Sequence, residues 1–285
     1  YKPHQGDVFI VSYPKCGSTW MQSILFHIFS GGVPPKNVDE FEARTHFLEF
    51  FGTETMSIMS HPSVIKTHLP CKKPLFSEHA KYFYIARNPF DCCVSYYHHT
   101  KSFPAYLFEQ GTFDQFFDMF LDGRVEFGDY FDSLLPWYER RHKPNVFFLT
   151  YEDLKRDTKG WVLRMADFLG AQYSERLRSD PDAVGSIIER SNIEVMKKLF
   201  GSTSQGDHVT VYSKAAEARN SSEEFDESVV AALNKPMAGD FVRKGTVGDW
   251  ENYFSEDQVS RMKTWIAFKT AGSNVMELWK HENIP

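Results

Sequence analysis

Short apolar runs recur along this chain, each closed by a turn-forming or charged residue and most followed by a stretch with helical spacing. Val8-Phe9-Ile10-Val11-Ser12-Tyr13 is rich in β-formers and stops at Pro14. A short continuous run of that kind predicts a buried strand. From Thr19 to Phe29 the apolar positions fall at helical intervals and end at Gly31-Gly32, which predicts a helix with a glycine stop. Val64-Ile65-Lys66-Thr67, Tyr82-Phe83-Tyr84-Ile85-Ala86 and Val146-Phe147-Phe148-Leu149-Thr150 are further strand candidates. Asn88-Pro89 opens a helix through Val94 and Tyr97, and Trp161, Met165, Phe168 and Leu169 make a helical face closed by Gly170. Strands alternating with helices predict an α/β fold: a central, mostly parallel sheet flanked by helices.

Phe113, Phe116, Phe117 and Phe120 recur at the spacing of one helix face, so that stripe is expected in the core. Between Gly201 and Ser222 apolar periodicity lapses and Ser, Thr, Gly and Lys accumulate, the composition of a long surface loop of the kind that often forms a lid. No repeat or linker divides the chain. One domain over residues 1–285 is expected.

Composition narrows the function classes. With 42% hydrophobic residues and 26 Phe the chain can fill a sizeable core and still line an apolar pocket. Its net charge of -6 argues against nucleic-acid binding through counterion release, so anion binding must come from a local cluster of Lys and Arg. No apolar run reaches the roughly 18 residues of a membrane span. The chain starts at Tyr1 without Met, so a leading segment is expected to be missing. Four cysteines in a chain this long do not make a disulfide framework, and Cys92-Cys93 with His98 and His99 matches no zinc spacing. A reducing, cytoplasmic setting without a bound metal is expected.

The chemistry concentrates at strand ends. Tyr13-Pro14-Lys15-Cys16-Gly17-Ser18-Thr19-Trp20 joins the first strand to a helix, where free backbone N–H groups and the helix dipole hold anions. Lys15 adds a charge, Ser18 and Thr19 add hydroxyls. The loop is P-loop-like, but Lys precedes its single Gly, an order that argues against ATP or GTP hydrolysis. Lys66-Thr67-His68 ends another strand; a neutral His suits proton removal from a hydroxyl, and Lys66 would balance charge on a transferring group. Arg87, at a strand end, and Ser95, on the following helix, reach one site from two directions. Arg243-Lys244-Gly245-Thr246-Val247-Gly248-Asp249-Trp250 adds cations to a Gly-rich loop. Open parallel sheets bind ligands at the carboxyl ends of their strands.

These motifs, in this order, resemble those of the cytosolic sulfotransferases. Residues 13–20 resemble the family's 5′-phosphosulfate loop, usually Tyr-Pro-Lys-Ser-Gly-Thr-Thr-Trp, with Ser18 keeping a hydroxyl that Cys16 loses. The resemblance implies a cofactor, 3′-phosphoadenosine 5′-phosphosulfate (PAPS), with PAP as its product. It implies that Lys15 holds the 5′-phosphate, Trp20 packs on adenine, and His68 is the general base. Arg87, Ser95, Arg243, Lys244 and the Gly245 backbone would cage the 3′-phosphate. Tyr151, in Tyr-Glu-Asp, and Ser191 would contact adenine, although Asn192 and Ile193 replace the family's usual Ser and Phe. Lys15, Cys16, Gly17, Ser18, Thr19 and Trp20 together form the expected cofactor loop.

Phe47-Leu48-Glu49-Phe50 resembles a family segment whose two Phe rings sandwich an aromatic acceptor; His99 stands where many members have Phe, and Phe127 where some have Tyr. An apolar pocket with few polar groups suits a phenol, catechol or hydroxylated amine, and a flat steroid almost as well. The alternatives are a small-molecule kinase, a Golgi-type carbohydrate sulfotransferase, and a nucleotide-sequestering protein that would not need His68. The family's usual dimer contact is replaced at Glu251, Ser255, Glu256 and Ser260, so a monomer or a dimer through another surface is expected. Cys16, between Lys15 and a helix N-terminus, is expected to be a thiolate and the most reactive of the four cysteines.

Overall fold

Five segments satisfy their backbone polar groups by pairing in parallel: β1 (Val8–Val11), β2 (Thr45–Phe47), β3 (Val64–Thr67), β4 (Lys81–Ala86) and β5 (Val146–Thr150). The computed structural model describes residues 1–53, 62–71, 76–200, 235, 237–239 and 241–285. The loop expected over residues 201–222 lies outside the described residues. Strand order is β2-β3-β1-β4-β5, so the chain runs to one side of β1 and then crosses to the other. That reversal beside β1 is the topological switch point at which such sheets bind ligands.

Alternation along the strands divides the core in two. Val8 and Ile10 of β1 lie with Phe83 and Ile85 against the helices Ser18–Ser30, Thr158–Leu169 and Ala183–Arg190. Phe9 and Val11 lie with Tyr82 and Tyr84 against Pro89–Ser102, Phe113–Leu121, Tyr130–Arg140 and Glu256–Lys269. Both faces are covered, which is why β1 reads as an unbroken apolar run. Phe116, Phe117 and Phe120 are fully buried, as the stripe predicted.

Register sets where the functional residues emerge. Val11 pairs with Thr67 on one side and Tyr84 on the other, and Ala86 pairs with Thr150. Ser12, His68, Arg87 and Tyr151 are therefore each the first residue beyond an almost level strand end. β1 stops at Val11, not at Tyr13, where the chain enters the turn that puts Lys15 at φ 67°, and the Tyr13 hydroxyl donates to Gly128 O at 2.8 Å. The three-residue β2 was not foreseen. Thr-His-Phe carries no alternating signal of its own and is a strand through pairing with Val64–Lys66 of β3.

Candidate active site

The loop after β1 turns sharply. Lys15 has φ 67° and Gly17 φ 104°, both in the left-handed region, and the helix Ser18–Ser30 begins at once. At Gly17 a Cβ would stand 2.7 Å from Tyr151 Cδ2, so only glycine lets this loop close onto the residue after β5. Lys15 is a non-glycine residue held in an uncommon conformation, a feature that clusters at functional sites. Trp20, one turn into the helix, meets the Tyr151 ring edge-on at 5.5 Å, and Arg87 lies over that same ring, its Cζ 4.7 Å from the Tyr151 centroid.

Arg87 is buried, with one guanidinium nitrogen donating to Thr246 O at 2.8 Å and another to Lys15 O at 3.4 Å. Its Nε has no hydrogen-bond partner among the described residues. The segment Arg243–Trp250 is pinned beside it by Asp91, whose carboxylate accepts from Gly248 N at 2.8 Å and Trp250 N at 3.0 Å. Asp249 accepts from Arg243 at 2.5 Å and from Lys244 at 2.7 Å. Burial alone would raise its pKa, but the bonds from Lys244 and Arg243 outweigh it and bring the carboxyl down to about 2.

The cations are gathered against their own repulsion. Burial and then the charges of Lys66, Arg87 and Arg243 push Lys15 down to about 7. Burial pushes Lys66 down to about 8 against the opposing pull of Glu49 and Glu42. A polyanion set among these groups would reverse the repulsion, which makes the cluster an anion site in an acidic protein.

His68 completes the arrangement. Its Nδ1 lies 2.8 Å from Ser12 O, which can only accept, so Nδ1 carries the hydrogen and Nε2 keeps its lone pair. Burial first, then Lys66 and Lys15, hold its pKa well below the ordinary value, so the ring is neutral. Its backbone N–H donates to the Glu49 carboxylate, which also takes the Thr67 hydroxyl at 3.1 Å. The ring stands between Phe47, 5.2 Å away, and Phe127, 5.3 Å away, both edge-on. Phe127 has φ 70°, and hydroxyls from its surroundings catch the carbonyls on either side of it, Tyr96 at Glu126 and Tyr13 at Gly128.

The family description "Sulfotransferase domain" matches residues 5–274. The chain belongs to the sulfotransferase family. Human Sulfotransferase 1C2 is 31% identical over 279 residues, 94% of this chain and 84% of its own length. Sulfotransferase 1A1 of Rattus norvegicus is 33% identical over 271 residues, 92% and 83% of the two chains. Among solved structures, retinol dehydratase with androsterone and the inactive cofactor PAP aligns with a TM-score of 0.72 at 23% identity, covering 95% of this chain and 83% of that one. Mouse sulfotransferase SULT7A1 complexed with PAP aligns at 0.68 and 24% identity, covering 99% and 90%. At such identities the structural likeness bears on the fold, a single α/β domain built on one parallel sheet. Among the described residues, no helix of this sulfotransferase is long and apolar enough to cross a membrane.

Most of the residues singled out from the sequence converge. Lys15, Gly17, Trp20, Arg243, Lys244 and Gly245 gather around Arg87, Tyr151 and Asp249; a Cβ on Gly245 (φ 64°) would meet Ile193 Cδ1 at 2.6 Å, with Tyr151 Oη 3.7 Å away. Ser18 is buried in the first helical turn, Thr19 half-buried beside it, and Ser95 half-buried on the next helix. Three expectations change. Cys16 is 1% exposed, points into the core and meets Cys92 Sγ at 3.8 Å; burial and that contact raise its pKa well above the ordinary value. It is an inert core thiol, not a thiolate facing the cofactor. Ser191 is fully enclosed and gives its hydroxyl hydrogen to Ile187 O at 2.6 Å, so it offers no donor to a nucleotide. Phe50 packs on Phe51 at 5.1 Å, whereas Phe47 is the ring of that segment that meets His68. Sequence reasoning missed Ser12, Glu49, Asp91 and Asp249 as the acceptors that hold His68, Thr67 and the Arg243–Trp250 loop. Only Asp91 carried a local signal, an acid in the first turn of a helix opened by Asn-Pro.

Proposed function

We propose that this sulfotransferase moves the sulfonate group of PAPS to a hydroxyl of a small aromatic acceptor, a phenol, catechol or hydroxylated amine, with His68 as general base. The observation that carries the reading is a neutral imidazole beyond β3, its ring set between two phenyl rings and under the influence of two lysines, Lys66 buried and Lys15 half-buried. The residues fit the nucleotide. Arg87 Nε is a buried donor lacking a partner among the described residues, and the Gly17 turn, which a Cβ would drive into Tyr151, brings the loop's backbone close to the ring proposed to wall the adenine.

Arg87, Ser95, Arg243, Lys244 and the Gly245 backbone hold the 3′-phosphate, and Trp20 and Tyr151 wall the adenine. Arg243 and Lys244 must share their bonds to Asp249 with the ligand. PAPS, when bound, supplies a sulfonate whose S–O bond to the 5′-phosphate breaks as the acceptor oxygen takes sulfur in line, leaving PAP. His68 accepts the hydroxyl proton at Nε2 while the Ser12 carbonyl holds its other nitrogen and steadies the imidazolium. Lys15 and Lys66 supply fixed positive charge where negative charge grows, and their buried setting makes each charge count for more than it would in water.

The acting unit is one domain over residues 1–285, cytoplasmic, a reading that the free state of all four cysteines supports. A monomer, or a dimer through another surface, is part of the same reading: Ser255, where the family's dimer contact would lie, is spent capping the helix Glu256–Lys269, its hydroxyl accepting from Gln258 N at 3.2 Å. The test is His68→Ala. Turnover should fall by at least about 10²-fold while PAP affinity stays nearly unchanged. Retained turnover across several phenols would make His68 structural.

A further inference from the structure

Phe127 sits in a backbone conformation that its side chain does not favour. The turn over residues 125–128 is closed by Gly128 N donating to Val125 O at 3.0 Å. Phe127, the third residue of that turn, has φ 70°, while Glu126 before it stays outside the left-handed region. That is the pattern of a type II turn, whose third position ordinarily belongs to Gly or Asn. A bulky residue there is strained, and such strain persists only where the surroundings over-determine it.

Here three successive peptide groups are held. The peptide between Glu126 and Phe127 is held by Tyr96, whose hydroxyl donates to Glu126 O at 2.5 Å. The next is held by the turn's own bond from Gly128 N. The one after Gly128 is held by Tyr13, whose hydroxyl donates to Gly128 O at 2.8 Å. Rotation of the first of these planes is the φ of Phe127, so the Tyr96 bond acts directly on the strained angle. Both tyrosines are buried, their rings meet edge-on at 5.8 Å, and Tyr13 also lies edge-on to Tyr130 at 5.3 Å. Burial raises both phenol pKa values well above the ordinary value, so each hydroxyl keeps the proton it donates. What this bracing holds in place is the ring that stands edge-on to His68 at 5.3 Å.

We propose that Tyr13 and Tyr96 are positioning residues for the acceptor: their hydroxyls hold the turn 125–128 so that the Phe127 ring stays against His68. This rests on the reading of Phe127 and His68 as walls of the acceptor site. Tyr13 directly precedes Pro14-Lys15 and Tyr96 directly follows Ser95, so the elements that carry cofactor residues also brace the acceptor wall. Glycine at position 127 adopts the same φ without strain and carries no ring, which leaves the two hydroxyls nothing to position.

The experiment measures sulfonation of phenol by the wild-type enzyme, Tyr96→Phe, Tyr13→Phe and Phe127→Gly, and by each tyrosine change combined with Phe127→Gly; PAP affinity is measured for all. Each tyrosine change keeps its packed ring and should lower kcat/KM by about fivefold, chiefly through KM, with PAP affinity within about twofold of wild type. Phe127→Gly should lose at least as much. In that background the tyrosine changes should alter kcat/KM by less than about twofold, because hydroxyls that act only through the Phe127 ring have no further effect once it is gone. Wild-type kinetics in both tyrosine variants, losses that persist in the Phe127→Gly background, or an equal loss of PAP affinity would overturn the inference and leave the acceptor site standing. A wild-type enzyme that does not turn over phenol, or a Phe127→Gly variant with wild-type kcat/KM, overturns the acceptor site itself, and the inference with it.

Discussion

With the 5′-phosphate placed at Lys15 as proposed, nucleotide binding should depend on pH in a direction set by the burial and charge around that lysine. Burial and three neighbouring cations bring its pKa to about 7, so near neutrality much of the ligand-free enzyme carries an uncharged amine there. A phosphate beside it favours the ammonium, so binding takes up a proton. The sign follows: affinity is full below pH 7 and is lost as pH rises through the free enzyme's pKa. If the ammonium persists in the complex, the PAP dissociation constant should rise about fivefold from pH 7 to 8, since each further pH unit costs up to about 1.4 kcal/mol. Lys66, brought to about 8 by burial, adds a second proton above that and steepens the loss. The nucleotide phosphates ionise near pH 6, so work above about 6.5 keeps them out of the range. Calorimetry at pH 7.5 in buffers of different ionisation enthalpy should count about three quarters of a proton taken up at Lys15, together with a smaller share at Lys66. Lys15→Arg, charged throughout, should delay the fall until Lys66 titrates. A dissociation constant flat from pH 6.5 to 8.5, or one with the same slope in Lys15→Arg, would refute the coupling.

Arg87→Ala should weaken PAP by about tenfold or more while changing 5′-AMP far less, because charge-assisted bonds to the 3′-phosphate are worth roughly 1.5–3 kcal/mol; equal losses for both nucleotides would place Arg87 elsewhere. Gly17→Ala forces a methyl into Tyr151 at a φ of 104°, so both PAP affinity and Tm should fall, and a variant with wild-type values for the two would show that the loop relaxes. Brief iodoacetamide treatment of the native enzyme should label the half-buried Cys71 and spare Cys16; mass-spectrometric mapping that finds Cys16 labelled first would restore the exposed thiolate.

The sequence by itself determined the fold class and four of the strands, since β1, β4 and β5 carry apolar runs that pack between helices and β3 opens on the β-branched pair Val64-Ile65. It also determined the turn after β1, because Lys15 and Gly17 occupy a short strand-to-helix connection whose conformation and free N–H groups are local properties. The side-chain direction within that turn is not local. Cys16 faces Cys92, a contact 76 residues distant in the chain, and so the core claims a thiol that adjacency to Lys15 seemed to expose. The same holds for β2, a strand only because β3 lies beside it, and for Asp91, which meets Gly248 N across 157 residues. A histidine in Lys-Thr-His marks where a base could stand, but its state is decided in space. Ser12 O fixes the tautomer, burial with Lys66 and Lys15 keeps the ring neutral, and Phe47 and Phe127 flank it edge-on. Charge, burial and hydrogen bonding act through distance, and distance between residues far apart in the chain is what folding supplies.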